Sequence, residues 1–351
     1  MNRKARSQST RLHARGFSLV ELLVVIFIIA LIIGLAIPAV GRVRTSARVA
    51  ATASTMTSIG QAVSTFSTDQ KRLPGYFSQT QMGSASNLTR GFSNMQNIML
   101  DLTGAVVAPG SAAAPTGAIR VGPNTNNPDN VWVNPSLVGA GQAGSKNYLS
   151  INEKLLVRGT ERTGVNEHKE LGDLQDPFGM PILAWARNEA STQTIAAEDD
   201  FVQVQVTAGQ PAARYYWAGN AAYLTAGVGV GTAARNQGEA SNLSSSASDA
   251  FRRGNLMTLL GSTANPIEIG ANMFPSTGRG DIVLHSAGPD QFYMSSRDSK
   301  GNAFRVSDQT VGSGKVSELA YRRNFFDESN ARRQPSIDQA SLYDDIIQSF
   351  N

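Results

Sequence analysis

One carboxylate stands alone inside an otherwise uncharged apolar run. Phe17 to Val40 reads FSLVELLVVIFIIALIIGLAIPAV, 24 residues whose only charge is Glu21. A carboxylate at the centre of a bilayer costs about 2.5–3.5 kcal/mol, and less near the boundary. Such a group is retained for a partner, and in an apolar medium the fitting partner is a cation. A headgroup-facing acid at the membrane edge is the plainer reading. A second set of oxygen donors lies far along the chain. Asp290 closes Ser286-Ala-Gly-Pro-Asp290, and Asp298 follows eight residues later. Calcium takes about six to eight oxygens from carboxylates, carbonyls and water, so two aspartates on one polar loop begin such a site. Alone they are two solvated loop acids. Nothing comparable points to catalysis. The three histidines, His13, His168 and His285, have no metal-ligand spacing, and no H-E-x-x-H is present. Gly314-Lys315 lacks the rest of a phosphate-binding loop, and Gly227-Val-Gly-Val-Gly231 sits in a low-complexity run.

The element that must position Glu21 is a helix. From Phe17 to Val40 it spans roughly 36 Å, enough for a hydrocarbon core of about 30 Å. Arg3, Lys4, Arg6, Arg11 and Arg15 precede it with no acid among them. Those charges should stay cytoplasmic and place the C-terminal body in the periplasm or outside the cell. A secretory signal peptide fits poorly: its apolar region is usually about 7–15 residues, and no A-x-A site follows Pro38. A plain single-pass anchor explains the hydropathy but not the acid.

Helical pattern continues past Pro38, where a bend or local loosening is expected. Val49, Met56, Ile59, Val63 and Phe66 share one face, with Ser, Thr and Gln opposite. Lys71, Arg72 and Pro74-Gly75 mark the end near Gln70. The predicted helix is ~80 Å long, its second half packed on the body through ordinary core contacts.

Gly16-Phe17-Ser18-Leu19-Val20-Glu21-Leu22, preceded by Arg15, resembles the cleavage and methylation motif of type IV pilins and type II secretion pseudopilins. The resemblance implies a 1–16 leader cut by prepilin peptidase after Gly16 and an N-methylated Phe17. It also implies that Glu21, the fifth residue left by the cut, is the assembly acid. Pro38 falls where many members carry a helix-kinking proline. The physics agrees: cleavage creates an amine on Phe17, and pairing it with Glu21 of a neighbouring subunit favours one axial stagger. Ala30 and Gly34 form a small-x-x-x-small step that lets helices approach.

The expected fold class is α+β. A long N-terminal helix, membrane-spanning over 17–40 and continuing over 41–73, packs on an antiparallel sheet domain over 74–351. Phe92–Thr103 has the pattern of a short helix. Pro181–Ala186, Phe201–Thr207, Arg214–Ala218 and Asp281–His285 have the pattern of strands, with Val202, Val204 and Val206 on one face of the second. Residues 104–146 and 225–250 are rich in small and turn residues and read as low-complexity insertions or long loops. Asp176-Pro-Phe-Gly179 is a turn by composition and resembles the Asp-Pro-aromatic-Gly turn of major pseudopilins. The Ser286–Asp290 loop is similar to the one preceding their calcium site. Tyr343-Asp344-Asp345 is expected to cap a surface strand or to lend ligands.

Composition narrows the partners. Removing the five leader cations from 31 basic residues leaves 26 against 27 acidic ones, a net charge of −1. A nucleic-acid binder is not indicated. With no cysteine, an exported body must be held by packing or metal. The expected function is a pseudopilin subunit that drives protein export, in company with prepilin peptidase, other pilins or pseudopilins, a membrane platform and the lipid bilayer. A minor pilin for adhesion, motility or DNA uptake is the alternative; a membrane-tethered hydrolase or binding module is a third.

Overall fold

The computed structural model describes residues 18–125, 129–139, 146–158, 167–192, 194–225, 241–244, 248–269, 272–295, 321–327 and 331–351. Two compact units divide the chain, residues 1–47 and 48–351.

Helix α1 runs from Leu19 to Gln70 and includes Pro38. In the first unit its side chains are exposed wherever they are described. In the second unit one face is buried: Thr52, Met56, Ile59, Val63 and Phe66. The apolar spacing predicted that face, and Val49 sits half-buried at its start. The polar face is rich in Ser and Thr, which are weak helix formers. Here they bond back along the helix, as Thr55 Oγ1 does to the Ala51 carbonyl (3.0 Å) and Thr65 Oγ1 to that of Gln61 (2.9 Å). The helix stops where expected, with Lys71 in the left-handed region at φ 57°.

A second helix, Asn94–Thr103, begins at a capping box. Ser93 Oγ accepts from the Gln96 amide (3.1 Å), while Gln96 Oε1 accepts from the Ser93 amide (3.3 Å). It buries Met95, Ile98, Met99 and Leu102, as its periodicity predicts, but also Asn94, Gln96, Asn97, Leu100 and Thr103, so the helix is buried nearly all round.

Among the described residues twelve short strands follow in chain order: β1 Val106–Pro109, β2 Ile119–Val121, β3 Val131–Val133, β4 Leu156–Val157, β5 Asp173–Leu174, β6 Leu183–Ala186, β7 Val202–Gln203, β8 Tyr215–Tyr216, β9 Ile267–Ile269, β10 Asn272–Phe274, β11 Ile282–Ser286 and β12 Ile346–Phe350. The central sheet has the order β12-β11-β6, antiparallel throughout. Its two faces serve two cores. Ala184, Ala186, Ile282 and Leu284 pack with α1 and the helix Asn94–Thr103. Leu183, Trp185 and Val283 face the other way, with Trp217, Tyr293 and the helix Asp249–Leu260. Alternation along each strand produces this division. Strand β12 touches α1 directly: Gln348 Nε2 donates to the Ala53 carbonyl (3.1 Å).

The α+β expectation holds, with several small sheets in place of a single one. Three particulars differ from the sequence reading. Residues 104–146 are not one long loop, because β1, β2 and β3 form an antiparallel sheet within them. Strands of three or four residues between turns are too short to show a period. Their Val121, Val131 and Val133 still reach the α1 core. The alternating stretch Phe201–Thr207 forms only β7, which pairs in parallel with β8. Gln203 is buried there, and its Nε2 donates to the Asp199 and Pro211 carbonyls (3.0 Å each), so polarity does not mark a solvent face. Arg214–Ala218 likewise reduces to β8 followed by a 3-10 turn, Trp217–Asn220. The second expected insertion falls largely on residues 226–240 and 245–247, outside the described residues, and its end belongs to the helix Asp249–Leu260.

Candidate functional site

The start of α1 is built around Glu21. Ser18 is the residue before the first helical turn, and Glu21 is the third residue within it. Ser18 N donates to Glu21 Oε2 (2.8 Å), and Glu21 N donates to Ser18 Oγ (3.2 Å). This is a reciprocal capping box, so the carboxylate satisfies an amide that the first turn would otherwise leave open. The S-x-x-E spacing before an apolar run signals that cap, which the charge-based reading passed over. Gly16 and Phe17 lie outside the described residues. Beyond Glu21 the exposed surface is aliphatic and aromatic: Phe27 is 66 % exposed, Ile32 60 % and Ile37 67 %. Water does not tolerate an apolar surface this continuous, so lipid or other helices must cover it. The helix is long and apolar enough to cross a membrane, and it fits a single-pass anchor. At Gly34 an added Cβ would meet nothing within 4 Å, which leaves its backbone open to a neighbour.

Residues 11–37 match the family model of the prokaryotic N-terminal methylation motif. That motif is the signature of type IV pilin-like proteins. The pilin-like segment implies processing by prepilin peptidase and assembly with other pilins, and carriers of the motif are structural subunits, not enzymes. No curated protein and no solved structure matches the chain.

The body brings together the two loops singled out in the sequence. The carboxylate of Asp176 is buried in its turn: Oδ1 accepts from the Phe178 amide (2.8 Å) and the Met180 amide (3.0 Å). Oδ2 accepts from Ser286 Oγ (2.5 Å), at the end of β11. Gln291 Nε2 donates to the Phe178 carbonyl (2.9 Å), and Tyr293 Oη to that of Pro181 (2.6 Å). Burial pushes the Asp176 carboxyl above the usual carboxylate range, against its four hydrogen-bond donors.

The segment before β12 closes this cluster. The Asp345 side chain is fully buried, contrary to the surface cap expected of it. It accepts from the Met294 amide (2.9 Å) and pairs with His285 Nε2. His285 Nδ1 has no hydrogen-bond partner among the described residues. His168 is held as one tautomer, its Nδ1 against the Arg90 carbonyl (2.9 Å) and its Nε2 facing the Gly122 amide (3.4 Å). Both histidines hold structure, as the sequence reading assigned them.

Asp290 Oδ1 accepts from the Phe292 amide (2.8 Å), a local turn bond. Asp298 lies outside the described residues. Among the described residues no three His, Cys, Asp or Glu side chains converge as metal ligands. The described part of this loop therefore supplies one of the two expected carboxylates.

Proposed function

We propose that the chain is a pseudopilin of a type II secretion system. Prepilin peptidase cuts after Gly16, Phe17 is N-methylated, and the subunit waits in the inner membrane with its body in the periplasm. Assembly then pairs the new Phe17 amine with Glu21 of a neighbouring copy, on a membrane platform, into a filament that pushes folded cargo outward. The observation that carries this reading is the exposed apolar stretch of α1 up to Val40, whose one charged residue, Glu21, stands in the first turn, inside the matched motif. An unpaired charge in lipid is strongly unfavourable, so the pair selects a stagger more than it adds net stability. The joined Asp176 and Ser286 loops support the secretion branch of the family over the surface fibre, because both resemble pseudopilin loops. The reading stands on mass spectrometry of the native N-terminus. An N-methylated Phe17 is expected; material that still begins at Met1, or that starts beyond Val40, overturns it. Loss of protein export in a deletion strain is the expected phenotype, and loss of a surface fibre with export intact would reassign the branch.

We further propose that the loop carrying Asp290 and Asp298 holds calcium. Support comes from its hard oxygen donors and from its packing on the Asp344 backbone at Gly288. Asp290 and Asp298 would supply charge, and backbone carbonyls and water would complete the set. The ion would fasten a loop that no disulfide can hold in a chain without cysteine.

A further inference from the structure

We propose that Arg42 and Arg44 form a binding surface for the headgroups of anionic phospholipids, on the side of the bilayer where α1 leaves it. The proposal rests on α1 crossing a membrane and is independent of the secretion role.

Position along the helix comes first. The apolar run ends at Val40, and Gly41-Arg42-Val43-Arg44 follows without a break in α1. At 1.5 Å per residue, the Cα of Arg42 lies about 3 Å beyond Val40 and that of Arg44 about 6 Å. A bilayer of about 40–45 Å around a hydrocarbon core of about 30 Å has a polar layer ~5–7 Å thick on each side. Side chains on a helix tilt towards its N-terminus, here towards the membrane, so both guanidinium groups fall back into that layer. Val43 between them is 67 % exposed, an apolar side chain suited to the same boundary.

Charge comes second. Both arginines are exposed, and neither has an ion pair or a side-chain hydrogen bond among the described residues. No Asp or Glu occurs between Glu21 and Asp69. No carboxylate therefore stands three or four residues away on the helix to neutralise either one. Arg48 differs. It belongs to the second unit, where its guanidinium lies 5.9 Å from the centre of the Phe178 ring.

Chemistry selects the ligand. A phosphodiester offers each guanidinium a pair of oxygens that its fork matches. A zwitterionic headgroup brings its own cation and offsets that attraction, whereas an anionic headgroup does not. At 100° per residue the two side chains stand about 200° apart around the helix, so each takes a separate lipid. Lipid is also the neighbour at hand, because Ile37 and Val40 just before them are exposed and apolar. In a chain cut after Gly16, no basic side chain precedes Arg42, so these two would hold the depth of α1 at this face.

The test reconstitutes the full chain in phosphatidylcholine vesicles. They carry a trace of either phosphatidylglycerol or phosphatidylcholine, spin-labelled near the end of one acyl chain. Electron paramagnetic resonance separates lipids held at the protein surface from free ones and gives the preference between the two headgroups. The leader cations contribute equally in every variant, so the difference between variants is the quantity read. One arginine near an anionic surface strengthens association about fivefold. Averaged over all lipids touching the helix, the preference for phosphatidylglycerol should fall by at least about twofold when Arg42→Gln and Arg44→Gln are combined. High salt should erase that difference, and Arg48→Gln should match the parent. Protease protection of the body checks that every variant inserts in the same orientation. An unchanged preference in the double variant overturns the proposal. An equal fall in Arg48→Gln also overturns it, by making the effect one of diffuse charge. Loss of the preference on adding inorganic phosphate at constant ionic strength would assign the arginines to free phosphate. Arginine-dependent self-association without a lipid preference would assign them to a second copy; either result overturns the lipid surface. Processing at Gly16 is not read here, so failure of this test leaves the filament reading standing.

Discussion

Ser286 Oγ donates a 2.5 Å hydrogen bond to Asp176 Oδ2 and so ties together two turns 110 residues apart. Asp176 has 4 % of its surface exposed, and its other oxygen is taken by backbone amides. Ser286→Ala leaves Oδ2 buried without a donor, a cost of about 1–3 kcal/mol. Tm of the full chain in micelles should fall by several degrees, at ~2–4 °C per kcal/mol for a domain of this class. An unchanged Tm would show that the bond does not hold the loops together.

The same carboxyl sets a pH dependence. Its folded pKa is raised above the ordinary 3.8 by burial. Between that value and the raised one the folded chain binds more protons than the unfolded chain, so stability falls as pH rises through the window. Asp176→Asn removes the titration and keeps the bonds, since its Oδ1 can still accept both amides and its Nδ2 can donate to Ser286. Tm against pH from about 3.8 upward should be flatter in this variant. A parallel curve would assign the slope to other groups.

Gly288 joins the loop that carries Asp290 to the segment before β12. Its φ is +67°, and a Cβ there would stand 2.4 Å from the Asp344 carbonyl oxygen. Backbone atoms cannot yield as a side-chain tip does, and the left-handed region already disfavours alanine. Gly288→Ala should cost more than about 1 kcal/mol and expose amides of β11 and β12 to hydrogen exchange. Exchange at the wild-type rate in both strands would contradict this.

Sequence legibility followed the length of each pattern. The buried face of α1 from Met56 to Phe66 repeats over several turns, and the helix Asn94–Thr103 carries a cap at each end. Both were legible. Strand β7 was not, since Gln203 is buried by two carbonyl partners and looks in the sequence like a solvent-facing residue. The Val121, Val131 and Val133 contributions to the core lie on strands of three residues, too few for a period to emerge. At the functional end, Glu21 was legible through its loneliness in an apolar run. Its bond to Ser18 was legible too, through the three-residue spacing, once the helix start was fixed. The pairings of Ser286 with Asp176 and of Asp345 with His285 span 110 and 60 residues, and only the folded sheet brings them together.

Calcium has a thermodynamic signature that separates it from charge alone. A ligand bound only by the folded state raises stability by about 2.7 kcal/mol at a hundredfold excess over Kd. Millimolar calcium added to chelator-treated protein should raise Tm, magnesium should do so far less, and Asp290→Ala should abolish the response. Asp290 also caps the Phe292 amide, so the variant loses some stability in chelator as well. The decisive quantity is therefore the calcium-dependent difference, and its absence from the parent protein retires the metal.

Glu21 has two candidate roles, and one substitution distinguishes them. As a cap it supplies an oxygen to the Ser18 amide; as an assembly acid it supplies a negative charge. Glu21→Ala removes both. Glu21→Gln keeps the cap, because glutamine serves at the third position of a capping box, but carries no charge. If charge pairing with a neighbouring Phe17 amine sets the filament register, both variants should insert in the membrane normally and both should lose filament yield by at least about tenfold, a difference of ~1.4 kcal/mol or more per contact. If Glu21 acts only on its own helix, Glu21→Gln should assemble like the parent while Glu21→Ala fails. Ser18→Ala completes the set: it weakens the cap by about 0.5–2 kcal/mol and leaves the charge in place, so it should reduce filament yield less than Glu21→Gln does. Quantifying sheared filaments by electron microscopy and immunoblot, against equal membrane levels of each variant, reads all three.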